Sequence, residues 1–468
     1  MMMRKAEITA FLSMVFVLLV SFVLGMLEVS VIQTSKSMSR LTVDRAVFSL
    51  FGGYQSELFE EYHVFALDGS YGSGTFSEDQ LTGRLHYYGD PGISHEITGI
   101  QYLTDNGGQA FREQVLEYME SKYGISLVRR FTGLTQEWEE EAIRGEQMEQ
   151  EEADLAADIQ ALKGDSEDQI LQEAGGDPFT CLEVLDKSGV LSLVMPEEMT
   201  LSGREIRQEE QASARPLRTG FGSLPQRQGT DGLEEKLLFN EYVLKNFTNA
   251  ALKSSTDAGA DEEAPVRSLA YEAEYILEGK ASDKENLEAV LLKIFFIRMA
   301  LNYLYLMSDT GKQGEVTALA TVIATVLLIP EAAEVISQLI LLAWAAGEST
   351  VDLRTLLSGR RAPVLKSAEN WQLPLSSLLT LGSSAQRLSG NDTEGGISYE
   401  DYLRMFLFLG NTDDITMRTL DRIEENLAME RALDHIRADQ CITKLELQNE
   451  TAIAGGITYT FPAYFGYQ

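Results

Sequence analysis

The N-terminal run Ile8 to Leu27 carries no charged side chain (ITAFLSMVFVLLVSFVLGML). A helix of this length is about 30 Å long, which matches the hydrocarbon core of a bilayer. The alternative is a cleaved signal peptide, whose apolar region has about 7–15 residues and ends at a small-x-small cleavage site. Leu27-Glu28-Val29 does not form such a site. The run therefore predicts a retained transmembrane helix over residues 8–27.

The side chains expected to contact lipid are the large apolar ones along this run. They are Ile8, Phe11, Leu12, Val15, Leu19, Phe22 and Leu27. Glu28 lies where the run ends, and two roles are open for it. It either pairs with a basic group of a partner subunit or extends into the lipid headgroups.

The charges that flank the span predict its orientation. Arg4 and Lys5 precede it, and the positive-inside rule then keeps residues 1–7 in the cytoplasm as a short stub. Three basic residues within 36–45 oppose this orientation. We expect a single-pass protein of the cell membrane with the bulk of its chain outside the cell.

Helical spacing of apolar residues continues beyond the span. The positions are Val29, Ile32, Ser39, Val43, Ala46, Leu50 and Phe51. Neither proline nor glycine interrupts them before Gly52-Gly53. The pattern predicts that the membrane helix runs on as one long amphipathic spine helix that ends near Phe51.

Composition limits what the remaining chain can be. The chain has 468 residues, of which 44% are hydrophobic, and this share excludes wholesale disorder. With 72 acidic against 38 basic residues and a net charge of −34, the surface should repel nucleic acid. Cys181 and Cys441 are too few for a disulfide framework, although a single bridge is allowed outside the cell.

Three segments have the pattern of β-strands. Glu60 to Gly69 ends in an Asp-Gly turn signal, His95 to Leu103 alternates, and the tail has β-formers on both sides of Gly455-Gly456. A lone hairpin is marginally stable, so the C-terminal hairpin at 441–468 should pack with the early strands. We therefore predict that residues 28–135 and 441–468 form one unit with a small antiparallel sheet.

The middle of the chain is predicted to be a large helical insertion. Residues 136–267 form an acidic helical and linker region, with loose connections at 202–232 and 254–265. Residues 268–440 form a helical domain, in which Ser282 and Glu285 have the spacing of a capping box. The apolar runs 317–329 and 335–346 are too short to span a bilayer and should be core helices. The expected fold class is α+β and mainly α-helical.

No constellation of catalytic residues is evident. The chain lacks a phosphate-binding loop, a G-x-S-x-G elbow and an H-E-x-x-H motif. Glu272 and Glu274 are two residues apart on a predicted helix and point in different directions, which favours a structural or surface role over acid/base work. We therefore expect a protein that is not an enzyme and has no cofactor.

One loop matches part of a calcium-binding pattern. In an EF-hand alignment of residues 390–401, Asp392, Glu394 and Asp401 fall at positions three, five and twelve. The first position is glycine, where a carboxylate is needed. We favour the alternative, a glycine-rich turn that leads to Ser398 as a helix N-cap, and we expect no metal site.

Several segments resemble an uncharacterised bacterial family, domain of unknown function 5702. They are AEITAFLS at 6–13, Leu27-Glu28, IQTSK at 32–36, EEYHVFALD at 60–68, EYILEGKASDKENL at 274–287, residues 344–352 and YEDYLR at 399–404. The N-terminus is also similar to the TadE/TadG-like pseudopilins of tight-adherence pilus systems. Ala6, not glycine, precedes Glu7, so the pattern fits an uncleaved anchor as well as a processed one. The resemblance implies a setting among pilus or secretion components and no assigned reaction.

A single-pass membrane-anchored surface protein is the function class that these observations favour. The resemblance implies a pilin-like or assembly component of a tight-adherence or type IV pilus-like system. The alternative is an acidic cell-envelope binding module that recognises a wall polymer or a cation. The expected partners are the lipid bilayer and other pilus or envelope subunits. Neither nucleic acid nor a small-molecule substrate is expected.

Overall fold

The computed structural model describes residues 2–163, 177–195, 200–226, 232–251, 267–378 and 390–467. The chain divides into two compact units. Unit 1 consists of Met1–Gln114, Pro216–Gln228 and Arg431–Gln468, and unit 2 consists of Val115–Arg215 and Gly229–Glu430. Both ends of the chain therefore belong to unit 1. The predicted α+β class, with a small antiparallel sheet and a large helical insertion, is confirmed.

Unit 1 begins with a helix of 50 residues, α1 (Met2–Phe51). Its last turns are buried through Val43, Ala46, Val47, Leu50 and Phe51. The helix ends before Gly52-Gly53, as the sequence pattern predicts. The helical spacing of these residues places them on one face, and this face packs on the rest of the unit.

The other elements of unit 1 are short. They are α2 (Ser56–Tyr62), β1 (Leu67–Asp68), α3 (Glu78–Tyr88), β2 (Ile93–Tyr102), the start of α4 (Asp105–Tyr123), β3 (Cys441–Ile453) and β4 (Ile457–Gly466). The strand expected over 60–69 is wrong in its first part. Leu58 and Tyr62, one helical turn apart, are both buried, and burial at this spacing favours helix there. His63 ends α2 in the left-handed region (φ 58°).

The sheet is built around β3, which comes from the C-terminal part of the chain. β2 pairs antiparallel with β3 along one edge, from Ile93 opposite Thr451 to Tyr102 opposite Ile442. On the other edge, β1 pairs antiparallel with the start of β3 and β4 pairs with the remainder. The β3–β4 hairpin turns at Gly455-Gly456, both with positive φ (83° and 75°), as a tight turn requires.

The core of unit 1 lies between the sheet and two helices. The buried face of α1 packs with Leu81 and Leu85 of α3 and with apolar side chains of the strands. The strand residues include Ile93, Ile100, Ile442, Leu445, Leu447 and Phe461. Tyr467 donates a hydrogen bond from its hydroxyl to the Phe51 carbonyl oxygen (2.6 Å). This bond joins the C-terminus to the end of the spine helix.

Unit 2 is helical in its described residues. After the rest of α4, its helices are α5 (Thr135–Lys163), α6 (Thr180–Ser188), α7 (Val190–Val194), α8 (Leu233–Asn246), α9 (Glu272–Glu278), α10 (Asp283–Ser308), α11 (Thr310–Val326), α12 (Ala333–Leu357), α13 (Leu375–Leu378), α14 (Tyr399–Leu409) and α15 (Thr412–Arg431). The predicted helix start at Ser282 is confirmed, because its side chain accepts a hydrogen bond from the Glu285 amide. α10 packs against α5 and α12.

The two apolar runs of unit 2 differ in burial. The run 335–346 lies in α12 and is buried from Leu339 onward. The run 317–329 is amphipathic, since Ala320 and Ile323 are buried while Val322 and Leu328 are exposed. The core prediction therefore holds for the first of these runs and for one face of the second.

The acidic and linker region is partly described. Residues 135–163 form α5, a single helix with Trp138 and Met148 buried. The described part of the connection predicted at 202–232 has almost no regular secondary structure, and Ser213 within it donates a hydrogen bond to the Asp421 carboxylate (2.6 Å from Oγ). The linker predicted at 254–265 lies outside the described residues.

The sheet core gives a first test of the fold. Ile442 is fully buried on β3, whereas Ile457 on β4 is 43% exposed. We expect Ile442→Ala to lower the free energy of unfolding by about 2–5 kcal/mol, because it leaves a cavity in the core. Ile457→Ala is the matched control and should cost much less. Chemical denaturation of both variants measures the difference, and equal effects would contradict the register described above.

Candidate functional site

The predicted membrane anchor is exposed along its whole length. The residues predicted to contact lipid, Ile8, Phe11, Leu12, Val15, Leu19, Phe22 and Leu27, are 44% to 67% exposed. Water does not stabilise so large an apolar surface, whereas a lipid bilayer does. The helix has the length and composition of a single membrane span or a signal sequence. Glu28 is exposed where this apolar surface ends.

A second helix is long and apolar enough to span a bilayer. It is α10 (Asp283–Ser308), and 67% of its most apolar stretch is buried inside the protein. Its apolar side chains therefore belong to the core of unit 2. In α1, by contrast, the corresponding stretch has no buried residue.

The calcium candidates are used in local structure. Asp401 forms a capping box with Ser398, whose amide and hydroxyl both donate to its carboxylate (2.9 and 2.7 Å). Asp392 accepts a hydrogen bond from the Arg361 amide (2.8 Å), and Glu394 is exposed. Ser398 is thus the N-cap of α14, as the favoured alternative predicts. The described residues contain no group of three or more His, Cys, Asp or Glu placed to hold a metal ion.

Glu272 and Glu274 are both fully buried in unit 2. Glu272 accepts hydrogen bonds from Thr248 and Asn426. Glu274 accepts them from the Ala250 amide (2.8 Å) and the Tyr399 hydroxyl (2.7 Å). Both carboxylates hold the segment 248–250 against α9, and each also binds a different helix, α15 through Asn426 or α14 through Tyr399. Their role in the fold is therefore structural, and their position is internal.

Glu274 has an unusual environment for a carboxylate. Its second oxygen, Oε2, is buried without a hydrogen-bond partner among the described residues. Burial raises the pKa of Glu274 from 4.5 to about 7, and the hydrogen bond from Tyr399 opposes this rise only in part. An acid in this state carries a proton over much of the physiological pH range.

A cluster of four buried charges joins α10 and α12. Arg298 pairs with Asp352 (2.7 Å), and Lys366 pairs with both Asp352 (2.7 Å) and Glu348 (2.5 Å). Asn302, one turn after Arg298, donates to Asp352 (3.2 Å). Two positive and two negative charges balance in the interior, as a buried ion network requires.

The cluster also fixes the chain that follows α12. Arg298 donates to the carbonyl oxygens of Pro363 and Val364, and Glu348 accepts from the amides of Gln372 and Leu373. Although burial opposes its ionisation, Arg298 and Lys366 hold the pKa of Asp352 below its usual value. The charged groups thus bind one another and backbone groups, and these contacts hold the helices in position.

The two cysteines are buried thiols and do not form a disulfide. Cys181 lies in unit 2, where its sulfur is 3.6 Å from the Thr350 hydroxyl. Burial raises the pKa of Cys181 to about 11, so the thiolate needed for oxidation or metal binding is rare at neutral pH. Cys441 is the first residue of β3 in unit 1.

A cavity of about 490 Å³ lies within unit 2. Its apolar wall includes Phe296 and Phe406, and its polar wall includes Lys293, Glu278 and Arg418. Lys293 pairs with Glu278 (2.6 Å), and Arg418 donates to the Leu277 carbonyl oxygen (2.6 Å). The cavity has room for a small apolar group beside an ion pair.

Comparison with known families identifies a family that matches most of the chain. A model described as a family of unknown function (DUF5702) matches residues 168–453, which is well over half of the chain. The chain belongs to this family. The DUF5702 match includes the buried charge cluster, Glu272, Glu274 and strand β3, but not α1 or strands β1 and β2. No curated protein and no solved structure matches the chain.

The buried charge cluster was not predicted from the sequence, although a signal for it exists. Arg298 and Asn302 lie four residues apart in an otherwise apolar stretch of α10, and Glu348 and Asp352 lie four residues apart in α12, just after the apolar run 335–346. Polar residues at this spacing share one helix face. Within an apolar run, such a pair indicates an internal polar contact, and Lys366 becomes its partner only in the folded chain.

Removal of one charge from the buried cluster should lower the stability of unit 2. We expect Lys366→Met to lower the free energy of unfolding by about 3–5 kcal/mol, because it leaves two buried carboxylates with one cation. Adding Glu348→Gln removes one of those charges and should recover part of the loss. Denaturation curves of the single and double variants measure this, and strictly additive losses would contradict the coupling.

The raised pKa of Glu274 predicts that the free energy of unfolding depends on pH. Its pKa in the folded chain, about 7, lies above the ordinary value of 4.5. Its contribution to stability is therefore greatest below about pH 4.5 and is lost as the pH rises to about 7. Glu274→Gln keeps an acceptor for Tyr399 and should make stability less dependent on pH across this window.

Tyr399→Phe provides a variant with the opposite effect. It removes a hydrogen bond that favours the ionised form of Glu274. The pKa of Glu274 should therefore rise, and the fall in stability with increasing pH should continue to higher pH. Thermal unfolding midpoints at pH 5 and pH 8 measure both variants against the wild type. A wild-type difference that Glu274→Gln leaves unchanged would show that another group titrates.

Proposed function

We propose that this protein is a non-enzymatic, single-pass surface protein, held in the cell membrane by residues 8–27. In this proposal its N-terminus is cytoplasmic and the bulk of its chain is extracellular. Its role is that of a pilin-like or assembly component of a tight-adherence or type IV pilus-like apparatus. The supporting observation is α1, one helix whose first half is exposed and apolar and whose second half is part of a folded unit.

The continuity of α1 suits a protein that works by position. No glycine or proline separates its apolar half from the turns that bear Val43 and Leu50, so the helix transmits the orientation of unit 1 to the anchor. A flexible linker would be expected if the folded part only had to be tethered to the membrane. A rigid connection fits a subunit that must be held at a fixed angle among other subunits.

The chemistry of unit 2 also supports a role without catalysis. The charges of its buried cluster are paired with one another; they are Arg298, Glu348, Asp352 and Lys366. A catalytic group must reach a substrate, and these groups hold helices together. The pilus setting itself rests on the resemblance of this family's N-terminus to TadE/TadG-like pseudopilins.

An acidic cavity supports the second candidate function, a cell-envelope binding module. Its volume is about 410 Å³, and its lining includes Glu149, Glu152, Asp186, Glu285 and Glu288 with Lys280. Burial, together with Asp186 and Glu149, raises the pKa of Glu152. Such a surface suits a cation or a cationic wall polymer. Pull-down of the full-length detergent-solubilised protein by isolated cell wall would favour this function over the pilus role.

Membrane anchorage is tested with a pair of substitutions in one helix. Val15→Arg places a charge within the span, at a cost of about 2.5–3.5 kcal/mol near its centre, and should release protein from membranes in alkaline extraction. Val29→Arg makes the same change outside the span and should leave the protein in the membrane. Intact mass of the retained wild-type protein separates an uncleaved anchor from a signal peptide, because only the anchor includes residues 8–27.

The pilus role has its own test. Deletion of the gene in its host should abolish or reduce pilus assembly and adhesion, and expression of the intact chain should restore them. Expression of the Val29→Arg variant should also restore them, whereas Val15→Arg should not. Unchanged pili and adhesion after the deletion would reject the assembly role and leave the membrane anchorage standing.

A further inference from the structure

The part of α1 that follows the span has two opposite apolar faces. One face, which includes Val43, Val47 and Leu50, is buried in unit 1. The other face is exposed and follows the membrane span without a break. Its residues are Leu27, Val31, Thr34, Met38, Leu41, Arg45 and Phe48, which we call the outer seam.

The spacing of the outer seam is that of a coiled coil. Its members follow one another at intervals of four, three, four, three, four and three residues, the alternation of the a and d positions of a heptad. At about 100° per residue, this face lies almost diametrically opposite the face that unit 1 covers. Within the span, Val17, Val20 and Leu24 continue the same alternation.

The seam is exposed although its side chains are large. Val31 is 51% exposed, Met38 58%, Leu41 67% and Phe48 69%. Phe48 has an edge contact with Phe465, at 6.3 Å between ring centroids. Four such residues in a line on one helix form an apolar surface that water does not stabilise.

Two basic residues of α1 lie on the face opposite the seam. Arg40 donates to the Tyr459 hydroxyl (2.5 Å), and the Lys36 ammonium lies 5.1 Å from the Tyr459 ring centroid. Both therefore point toward β4. A helix that packed along the outer seam would meet neither of these charges. Arg45, the basic residue within the seam, is exposed and donates a hydrogen bond to the Tyr88 carbonyl oxygen at the end of α3 (3.4 Å).

We propose that a second copy of this chain packs against the outer seam, so that two α1 helices form a parallel coiled coil from the bilayer outward. The inference deepens the proposed function and rests on its membrane anchorage. Two copies inserted in the same direction present their α1 helices parallel and in register. Identical a and d layers then meet each other, which is the self-complementary arrangement of a parallel dimer.

The charges along the seam favour a second copy over an unrelated apolar helix. Arg45 occupies an a position, and Asp44 occupies the g position directly before it. In a parallel dimer, a g side chain lies beside the a side chain of the facing helix, so each Asp44 would meet the partner's Arg45. Asp44 is exposed and has no ion-pair partner among the described residues. The two Arg45 side chains of this layer would otherwise repel each other, and the Asp44 carboxylate of each chain offsets that repulsion.

Cysteine cross-linking of the full-length protein in membranes tests the proposal. Met38→Cys and Leu41→Cys place thiols in successive a and d layers, and Gln33→Cys is an exposed control outside the seam. Under mild oxidation, both seam variants should form disulfide-linked dimers about tenfold faster than the control, because only they hold the two thiols within bonding distance. Cross-linking at both layers requires parallel, in-register helices.

The charge layer gives a second measurement in the same assay. With Leu41→Cys as the reporter, Asp44→Lys should slow cross-linking several-fold, and adding Arg45→Glu should restore it by exchanging the two charges. Both residues are exposed, so these variants should fold. No rescue by the double exchange would reject the paired layer.

Two results would overturn the dimer itself. One is cross-linking of Met38→Cys and Leu41→Cys no faster than that of Gln33→Cys. The other is a cross-linked product whose mass is not twice that of the chain, which would assign the seam to a different protein. Alkaline extraction of the same membranes keeps the two proposals apart. Protein that is released rejects the membrane anchorage, whereas retained protein without cross-links rejects only the dimer.

Discussion

Unit 1 depends on the packing of α1 against a sheet whose central strand comes from the other end of the chain. Val43, Val47 and Leu50 are buried together with Ile442, Leu445 and Phe461 of the C-terminal hairpin. Because β3 also pairs with both early strands, neither end of the chain completes this core alone. The long segment between them must leave and re-enter the unit, which explains why unit 2 is an insertion with its own core.

Unit 2 shows how a very acidic chain keeps its interior neutral. The net charge is −34, yet Arg298 and Lys366 balance Asp352 and Glu348 inside the helical core. Glu274 is neutralised differently, since burial raises its pKa to about 7 and favours the protonated acid. Ion networks and protonation are two means by which a buried carboxylate avoids the cost of an isolated charge, and the hydrogen bonds that Glu272 accepts are a third. The excess of negative charge is thereby left to the surface.

The two faces of α1 join the fold to the proposed function. The face toward β4 belongs to the core, and the outer seam, which is apolar except for Thr34 and Arg45, is exposed. A helix that only anchored unit 1 would need one such face. Its second face, in phase with the span, is what a subunit needs to associate with another helix in the same membrane. In the proposed function, the span, the spine helix and the seam act together to hold and join the subunits.

The sequence by itself determined the features that depend on local pattern. The uncharged run 8–27, the helix end at Gly52-Gly53, the Ser282 cap and the turn at Gly455-Gly456 follow from composition and spacing over a few residues. Only the tertiary structure decided that residues 60–62 are helical, that Glu272 and Glu274 are internal, that 202–226 is held by side-chain contacts, and that Lys366 completes the buried cluster. The physical reason is that these outcomes depend on partners far away in sequence. Local spacing shows which side chains share a face, but not what covers that face.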